Sequence, residues 1–213
     1  MDGARVVGKR PISAGKSILL GAMLLVVVEA SQAQDPFGGG IHNTVLGGSA
    51  LSRISGVSTT NMSAGDGNVQ SNIGSVALGN SANAASALQQ QSWIGERLSS
   101  QQENVQIKDR AYRGAEGWLS INQAAGQGNV QSNSFNVALG ISVSSLSDAS
   151  LQRVLAEQQG LSGTDDQQSS TRRRIAIERS AFVDAQGVVQ VNQSAGTGNA
   201  TSNSFGMSMS LSP

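Results

Sequence analysis

Three stretches of the chain are near copies: Asn61-Met-Ser-Ala-Gly-Asp-Gly-Asn-Val-Gln-Ser-Asn72, Asn122-Gln-Ala-Ala-Gly-Gln-Gly-Asn-Val-Gln-Ser-Asn133 and Asn192-Gln-Ser-Ala-Gly-Thr-Gly-Asn-Ala-Thr-Ser-Asn203. The match extends upstream without gaps through Gly56, Gly117 and Gly187 to Ala50, Ala111 and Ala181, which precede Leu51, Tyr112 and Phe182. Downstream it runs through Val76-Ala-Leu78, Val137-Ala-Leu139 and Met207-Ser-Met209, so the units span 44–80, 105–141 and 175–211, 37 residues each. A unit this short cannot bury an apolar face by itself. It buries that face by stacking on its neighbours, which places like residues over like.

The period inside a unit is two. Phe135, Val137, Leu139 and Ile141 alternate with Asn136, Ala138 and Gly140, and Phe205, Met207, Met209 and Leu211 alternate in the same way. Such segments are strands with one apolar face. Further alternating pairs, Leu119/Ile121 with Val189/Val191 and Val105/Ile107 with Ile175/Ile177, predict two more strands per unit. The expected unit is a strand, a bend near the Gly56-type position, a strand, a tight reversal at A-G-x-G-N and a long strand. The expected fold is mainly β: three stacked 37-residue repeats of the β-solenoid or β-arch type. With 3% aromatic and 13% charged residues but 26 glycines, burial has to come from small side chains, backbone ladders and polar stacks.

The recurring polar residues are the candidate site, together with the glycines between them. Gly65 and Gly67, Gly126 and Gly128, and Gly196 and Gly198 supply the freedom of the reversal. Asn61, Asn122 and Asn192 form one set for stacking along the repeat axis, Asn68, Asn129 and Asn199 a second, and Asn72, Asn133 and Asn203 a third; Gln70 and Gln131 add a partial fourth. Amides stacked at the strand spacing of about 4.8 Å can hydrogen-bond from copy to copy. Turn chemistry explains an Asn beside a Gly, but it does not require an Asn at the strand start in every copy. The first unit carries Ser58 and Thr60 where the others carry apolar pairs, which predicts a cap or a weaker unit. The linkers, 81–104 and 142–174, do not repeat. Ala84 to Ser100 and a segment from Ser147 or Asp148 through Leu151, Val154 and Leu155 read as helix formers, and Gly160 to Ser170 as disordered.

Residues 1–33 read as a secretory leader. Arg5, Lys9, Arg10 and Lys16 precede an 11-residue apolar run, Ile18 to Val28, and Ser31-Gln-Ala33 offers a cleavage site after Ala33. That run falls short of the ~18 residues that span a bilayer. Residues 34–43 form an N-terminal segment before the first unit. Losing the leader removes four of fourteen basic and two of fourteen acidic residues, leaving two net negative charges, so nothing steers nucleic acid. There is no cysteine, hence no disulfide, thiolate metal site or thiol nucleophile.

No other constellation points to catalysis or a cofactor. Ser13-Ala-Gly-Lys-Ser17 lacks the earlier glycine of a phosphate loop, having Arg10 in its place. Ala64-Gly-Asp-Gly-Asn68 resembles a calcium turn, but Asp66 becomes Gln127 and Thr197 in the other copies. His42 is the single histidine, and Asp165-Asp166 lies in a polar linker. Arg172 to Arg174 reads as a solvated edge that discourages wrong pairing. The chain is expected to be no enzyme and to need no metal.

The motif N-x-[SA]-A-G-x-G-N-x-Q-x-N resembles that of the fibrillar subunits of the Fap functional-amyloid system and related adhesin-like proteins. It is carried by Asn61, Gly65, Asn68, Gln70 and Asn72, by Asn122, Gly126, Asn129, Gln131 and Asn133, and by Asn192, Gly196, Asn199 and Asn203, with Thr201 in place of the last Gln. The resemblance implies passage through the periplasm and an outer-membrane pore, then cross-β fibre assembly in the biofilm matrix with itself or related subunits as partner. Those subunits end in a short cysteine motif, whereas this chain ends Met-Ser-Leu-Ser-Pro213. Two other expectations are a monomeric surface β-solenoid that binds polysaccharide through Trp93, Tyr112 or Trp118, and an accessory that nucleates another subunit.

Overall fold

The computed structural model describes residues 24–27, 40–93, 100–143, 153–157 and 171–210. Among these described residues twelve strands run in chain order: β1 Leu24–Val27, β2 Gly40–Leu46, β3 Ser55–Ala64, β4 Val69–Ala82, β5 Gln89–Trp93, β6 Ser100–Ile107, β7 Glu116–Ala125, β8 Val130–Val143, β9 Arg153–Glu157, β10 Arg172–Ile177, β11 Gln186–Ala195 and β12 Ala200–Ser210. Each unit supplies three of them, and each pairs with its counterpart in the next unit, always in parallel. The result is three sheets with the unit order 1-2-3: β2-β6-β10, β3-β7-β11 and β4-β8-β12. Asn61 lies opposite Asn122, and Asn122 opposite Asn192. The chain therefore winds as a serpentine coil whose three layers are joined by two reversals per unit.

The two reversals have different chemistry. The second, Gly65 to Asn68 and its copies, places both glycines of each pair at positive φ: 102° and 67° at Gly65 and Gly67, 112° and 62° at Gly126 and Gly128, 135° and 72° at Gly196 and Gly198. The first falls at residues 47–54, 108–115 and 178–185, upstream of the expected bend at Gly56. Gly56 is instead the second residue of β3 and, like Gly117 and Gly187, keeps a positive φ within a strand. At this first reversal Leu51, Tyr112 and Phe182 all adopt left-handed conformations, with φ of 55°, 58° and 58°. That conformation costs a non-glycine residue about 1–2 kcal/mol. It is held by hydrogen bonds along the stack, Tyr112 N–H to Ala50 O and Phe182 N–H to Ala111 O, both 3.0 Å, and by the stacked Tyr112 and Phe182 rings, 5.1 Å apart.

The apolar core lies between the first and second sheets, where Leu46, Met62, Ile107, Tyr112, Leu119 and Ile121 pack together. Ser58 and Thr60 of the first unit are hydrogen-bond partners of the Tyr112 phenol. Their polarity thus serves a buried hydroxyl in the next unit. Both faces of β7 are covered, one by the first sheet and one by the third, so residues 118–134 are continuously buried.

The linkers differ from expectation. Among the described residues there is no helix; residues 89–93 and 153–157 form β5 and β9, which pair in parallel as a fourth sheet. Residues leading into β5 lie against the far face of the third sheet, through Ser86 Oγ to Ser134 Oγ at 2.8 Å and through Ala84 beside Ala138. Val154 and Leu155 are in strand β9, not on a helix. Leu146, Ser147, Asp148, Leu151 and Gly160 to Ser170 lie outside the described residues. Within the apolar run read as the leader core, β1 pairs in parallel with β3 at the first-unit edge.

Candidate assembly interface

The second and third sheets face each other across a polar interior. From each unit, two asparagines enter it, one in the second half of the second strand and one near the start of the third. Within a unit they bond directly: Asn72 to Asn61 (2.8 Å), Asn133 to Asn122 (2.9 Å) and Asn203 to Asn192 (2.9 Å). Between units, Asn122 Nδ2 donates to Asn61 Oδ1 and Asn192 Nδ2 to Asn122 Oδ1, each at 3.0 Å. Asn133 donates to Asn72 at 2.9 Å and Asn203 to Asn133 at 3.0 Å. The two columns are thereby tied into one network. Asn122 and Asn133 are fully buried, and a buried amide is tolerated only because it is bonded.

The third column, at the reversal, runs the same way, Asn129 to Asn68 at 2.8 Å and Asn199 to Asn129 at 2.7 Å. Its asparagines also cap the glycine turn of the unit above: Asn68 donates to Gly126 O (2.8 Å) and Asn129 to Gly196 O (3.0 Å). The two glycines of each turn have unlike roles. Gly65, Gly126 and Gly196 form the close contact, so tight that a Cβ on Gly126 would lie 2.1 Å from Gly196 O. Gly67 and Gly198, read with them as stacking or turn residues, serve the turn: Gly67 is exposed and Gly198 half-buried, and both, like Gly128, are needed for the left-handed step that ends the reversal. They meet the neighbouring unit only edge-on through the backbone, where Gly128 N–H donates to Asp66 O and Gly198 N–H to Gln127 O, each at 2.9 Å. In the first unit Gly67 O accepts from Ser92 Oγ of β5. Gln70 bonds to Gln131 at 2.7 Å, and Gln131 to Ser194 Oγ at 3.1 Å. Thr201, where the third copy lacks the glutamine, leaves its Oγ1 buried without a partner.

The amide directions are set by backbone groups. The N–H of Asn129 donates to Asn68 Oδ1 (3.0 Å) and that of Asn199 to Asn129 Oδ1 (3.2 Å), so those side-chain atoms must be oxygens. Conversely, Asn122 Nδ2 meets Ser71 O at 2.9 Å and Asn192 Nδ2 meets Ser132 O at 2.8 Å, so those must be nitrogens. Asn133 Nδ2 likewise meets Ile121 O at 3.2 Å and Asn203 Nδ2 meets Val191 O at 3.1 Å, so in all three columns the asparagine-to-asparagine bonds donate from a higher unit to a lower one.

Further columns were not singled out in the sequence. Trp118 stacks on Phe135 (4.8 Å) and Phe135 on Phe205 (5.3 Å); Trp118 Nε1 donates to Gln190 Oε1 at 2.9 Å. The first unit has Gly74 in the Phe135 register, and a Cβ there would meet the Trp118 ring at 2.5 Å. The missing side chain at Gly74, aligned with two phenylalanines, was the available clue. His42, Glu103 and Arg173 also share one register. Glu103 is only 1% exposed and accepts from Arg173 Nε at 3.0 Å. The arginine run on β10 is thus more than a solvated edge.

The other sequence candidates are dispersed. Ser13 to Ser17 and Asp165-Asp166 lie outside the described residues, and Asp66 is on an exposed turn. Among the described residues no three His, Cys, Asp or Glu side chains cluster as a metal would require. Tyr112 and Trp118 are buried and Trp93 lies in β5, so neither Tyr112 nor Trp118 offers an aromatic platform to a sugar.

Parallel in-register strands, amide columns and stacked aromatics define a repeat protein of stacked parallel β-sheets, in which each unit pairs in register with the next. The chain belongs to the functional amyloid protein FapB/FapC family, whose sequence model matches residues 26–210. No solved structure matches it.

Proposed function

We propose that this protein is a structural subunit of an extracellular amyloid-like fibre of the biofilm matrix, exported behind a leader cleaved after Ala33 and built by stacking copies of itself. One observation carries the reading. The ladders that join unit to unit are open at the third-unit end, where apolar residues that are buried in the middle unit become exposed: Val105 is 0% exposed and its register partner Ile175 is 51% exposed. Among the described residues, none of the exposed large apolar side chains belongs to the middle unit. A further unit on that end would bury the third unit's exposed residues as the middle unit's are buried. Family membership supports the same reading, and passage through an outer-membrane pore belongs to it by resemblance.

The test is incubation of residues 34–213 at tens of micromolar, followed by thioflavin fluorescence and fibre diffraction. Unbranched fibres with a meridional reflection near 4.7–4.8 Å are expected. A chain that stays monomeric for days overturns the reading. The polysaccharide-binding alternative loses two of its aromatic candidates with the burial of Tyr112 and Trp118.

A further inference from the structure

The two ends of the three-unit stack are unlike, and they are complementary. At each internal junction an asparagine of the upper unit donates down to three acceptors: Asn122 to Asn61 Oδ1, Ser71 O and Asn72 Oδ1, and Asn192 to Asn122 Oδ1, Ser132 O and Asn133 Oδ1. The next donor in that series is Asn61, at the bottom of the stack. The next acceptors are Asn192 Oδ1, Ser202 O and Asn203 Oδ1, at the top. The strand glycines Gly56, Gly117 and Gly187 repeat the pattern. A Cβ on Gly117 or Gly187 would lie 2.1 Å from the glycine carbonyl one unit down, whereas a Cβ on Gly56 would meet nothing within 4 Å. The bottom thus keeps the shape of a close junction with no unit in it, and both ends keep uncovered apolar residues, Val57, Val76 and Leu78 at the bottom and Ile175, Ile177, Val189, Met207 and Met209 at the top.

One strand does lie on the bottom. In β1, Leu24 to Val27 pair in parallel with Ser58 to Asn61, the span that in the next unit pairs with Leu119 to Asn122. Resting on the fibre reading above, we infer that the first-unit end is the docking edge for the third unit of a second copy, and that β1 occupies this edge in the full chain. Copies then join in one direction, with Val189 to Asn192 of one copy taking the place of β1 on the next. A chain that still carries residues 24–27 is plugged at one end. Removal of the leader opens it, which ties stacking to export.

The absence of cysteine permits a direct test. Leu78 and Met209 are both exposed and share a register through Leu139. Within one chain they are two strand spacings apart, about 9.6 Å, too far for a disulfide. At the inferred junction they are one spacing apart, about 4.8 Å, within disulfide range. Fibres of residues 34–213 carrying both Leu78→Cys and Met209→Cys are expected to oxidise into a ladder of covalent multimers, and fibres of either single variant to remain uncrosslinked. Fibres of the double variant without multimers, or dimers from a single variant, overturn the junction. A chain that forms no fibres overturns the fibre reading itself. For the plug, the full chain is expected to show a several-fold longer lag than residues 34–213, and Val26→Pro, which removes an N–H from the β1 pairing, is expected to recover most of that difference. Equal lags for the full chain and residues 34–213 overturn the plug.

Discussion

Replacing Asn122 with alanine removes one of the two most connected side chains of the polar interior, the other being Asn133. Its amide nitrogen reaches Asn61 Oδ1 (3.0 Å), Ser71 O (2.9 Å) and Asn72 Oδ1 (3.1 Å), and its oxygen accepts from Asn133 (2.9 Å) and Asn192 (3.0 Å). Two amide hydrogens shared among three acceptors, with two accepted bonds, amount to about four hydrogen bonds. At about 1 kcal/mol net each, and with Asn133 and Asn192 retaining other partners, the expected loss is about 3 kcal/mol. Asn203 has ladder neighbours on one side only, donating to Asn133, Val191 O and Asn192, so Asn203→Ala should cost the soluble chain about half as much. In a fibre Asn203 gains an upper neighbour and the two costs should converge. Urea titration of the soluble chain by far-UV circular dichroism, and of fibres by the released soluble fraction, reads both values. A loss below about 0.5 kcal/mol for Asn122→Ala, the size of an ordinary surface substitution, would refute the claim that the columns hold the units together.

Gly126→Ala places a Cβ 2.1 Å from Gly196 O at a φ of 112°, and should cost at least about 3 kcal/mol by the same titration, since backbone strain and overlap add. Gly74→Ala pushes a methyl to 2.5 Å from the Trp118 ring; a loss of about 1–3 kcal/mol is expected, with a shift in tryptophan emission. Burial pushes the Tyr112 phenol well above its ordinary value of 10.0, partly offset by the hydrogen bonds to Thr60 and Ser58. The neutral phenol is therefore favoured on folding: its contribution is complete below about pH 10 and is lost as pH rises beyond that. Tyr112→Phe should flatten the alkaline fall in stability measured by denaturant titration between about pH 9 and 12.

Much of the architecture was legible because a repeat carries its own register. The three copies could be aligned by eye, and strand pairing follows the same offsets, 61 residues from the first unit to the second and 70 from the second to the third. The asparagine and glycine positions were legible for the same reason. Other features were hidden because their logic lies between units. The repeat does not tell Gly67 and Gly198, which turn the chain, from Gly65 and Gly196, which meet another unit's glycine. Ser58 and Thr60 read as a weakening of the first unit, since their partner, the Tyr112 phenol, belongs to the second. Residues 84–93 read as helix because Ala, Leu and Gln favour it in isolation, but the third sheet offers a surface on which extended chain packs.

The amino-acid sequence by itself determined that there are three like units, that they are β, and which residues recur in them. The tertiary structure alone decided that the units stack in linear order, that the first reversal sits at Leu51, Tyr112 and Phe182, that Glu103 is buried beside Arg173, and that the asparagine columns all donate toward the first unit. The reason is physical. Alternation and turn chemistry act within a few residues and are written locally, whereas the direction of an amide column is set by backbone groups that neighbouring layers and units contribute, and it exists only once they have met.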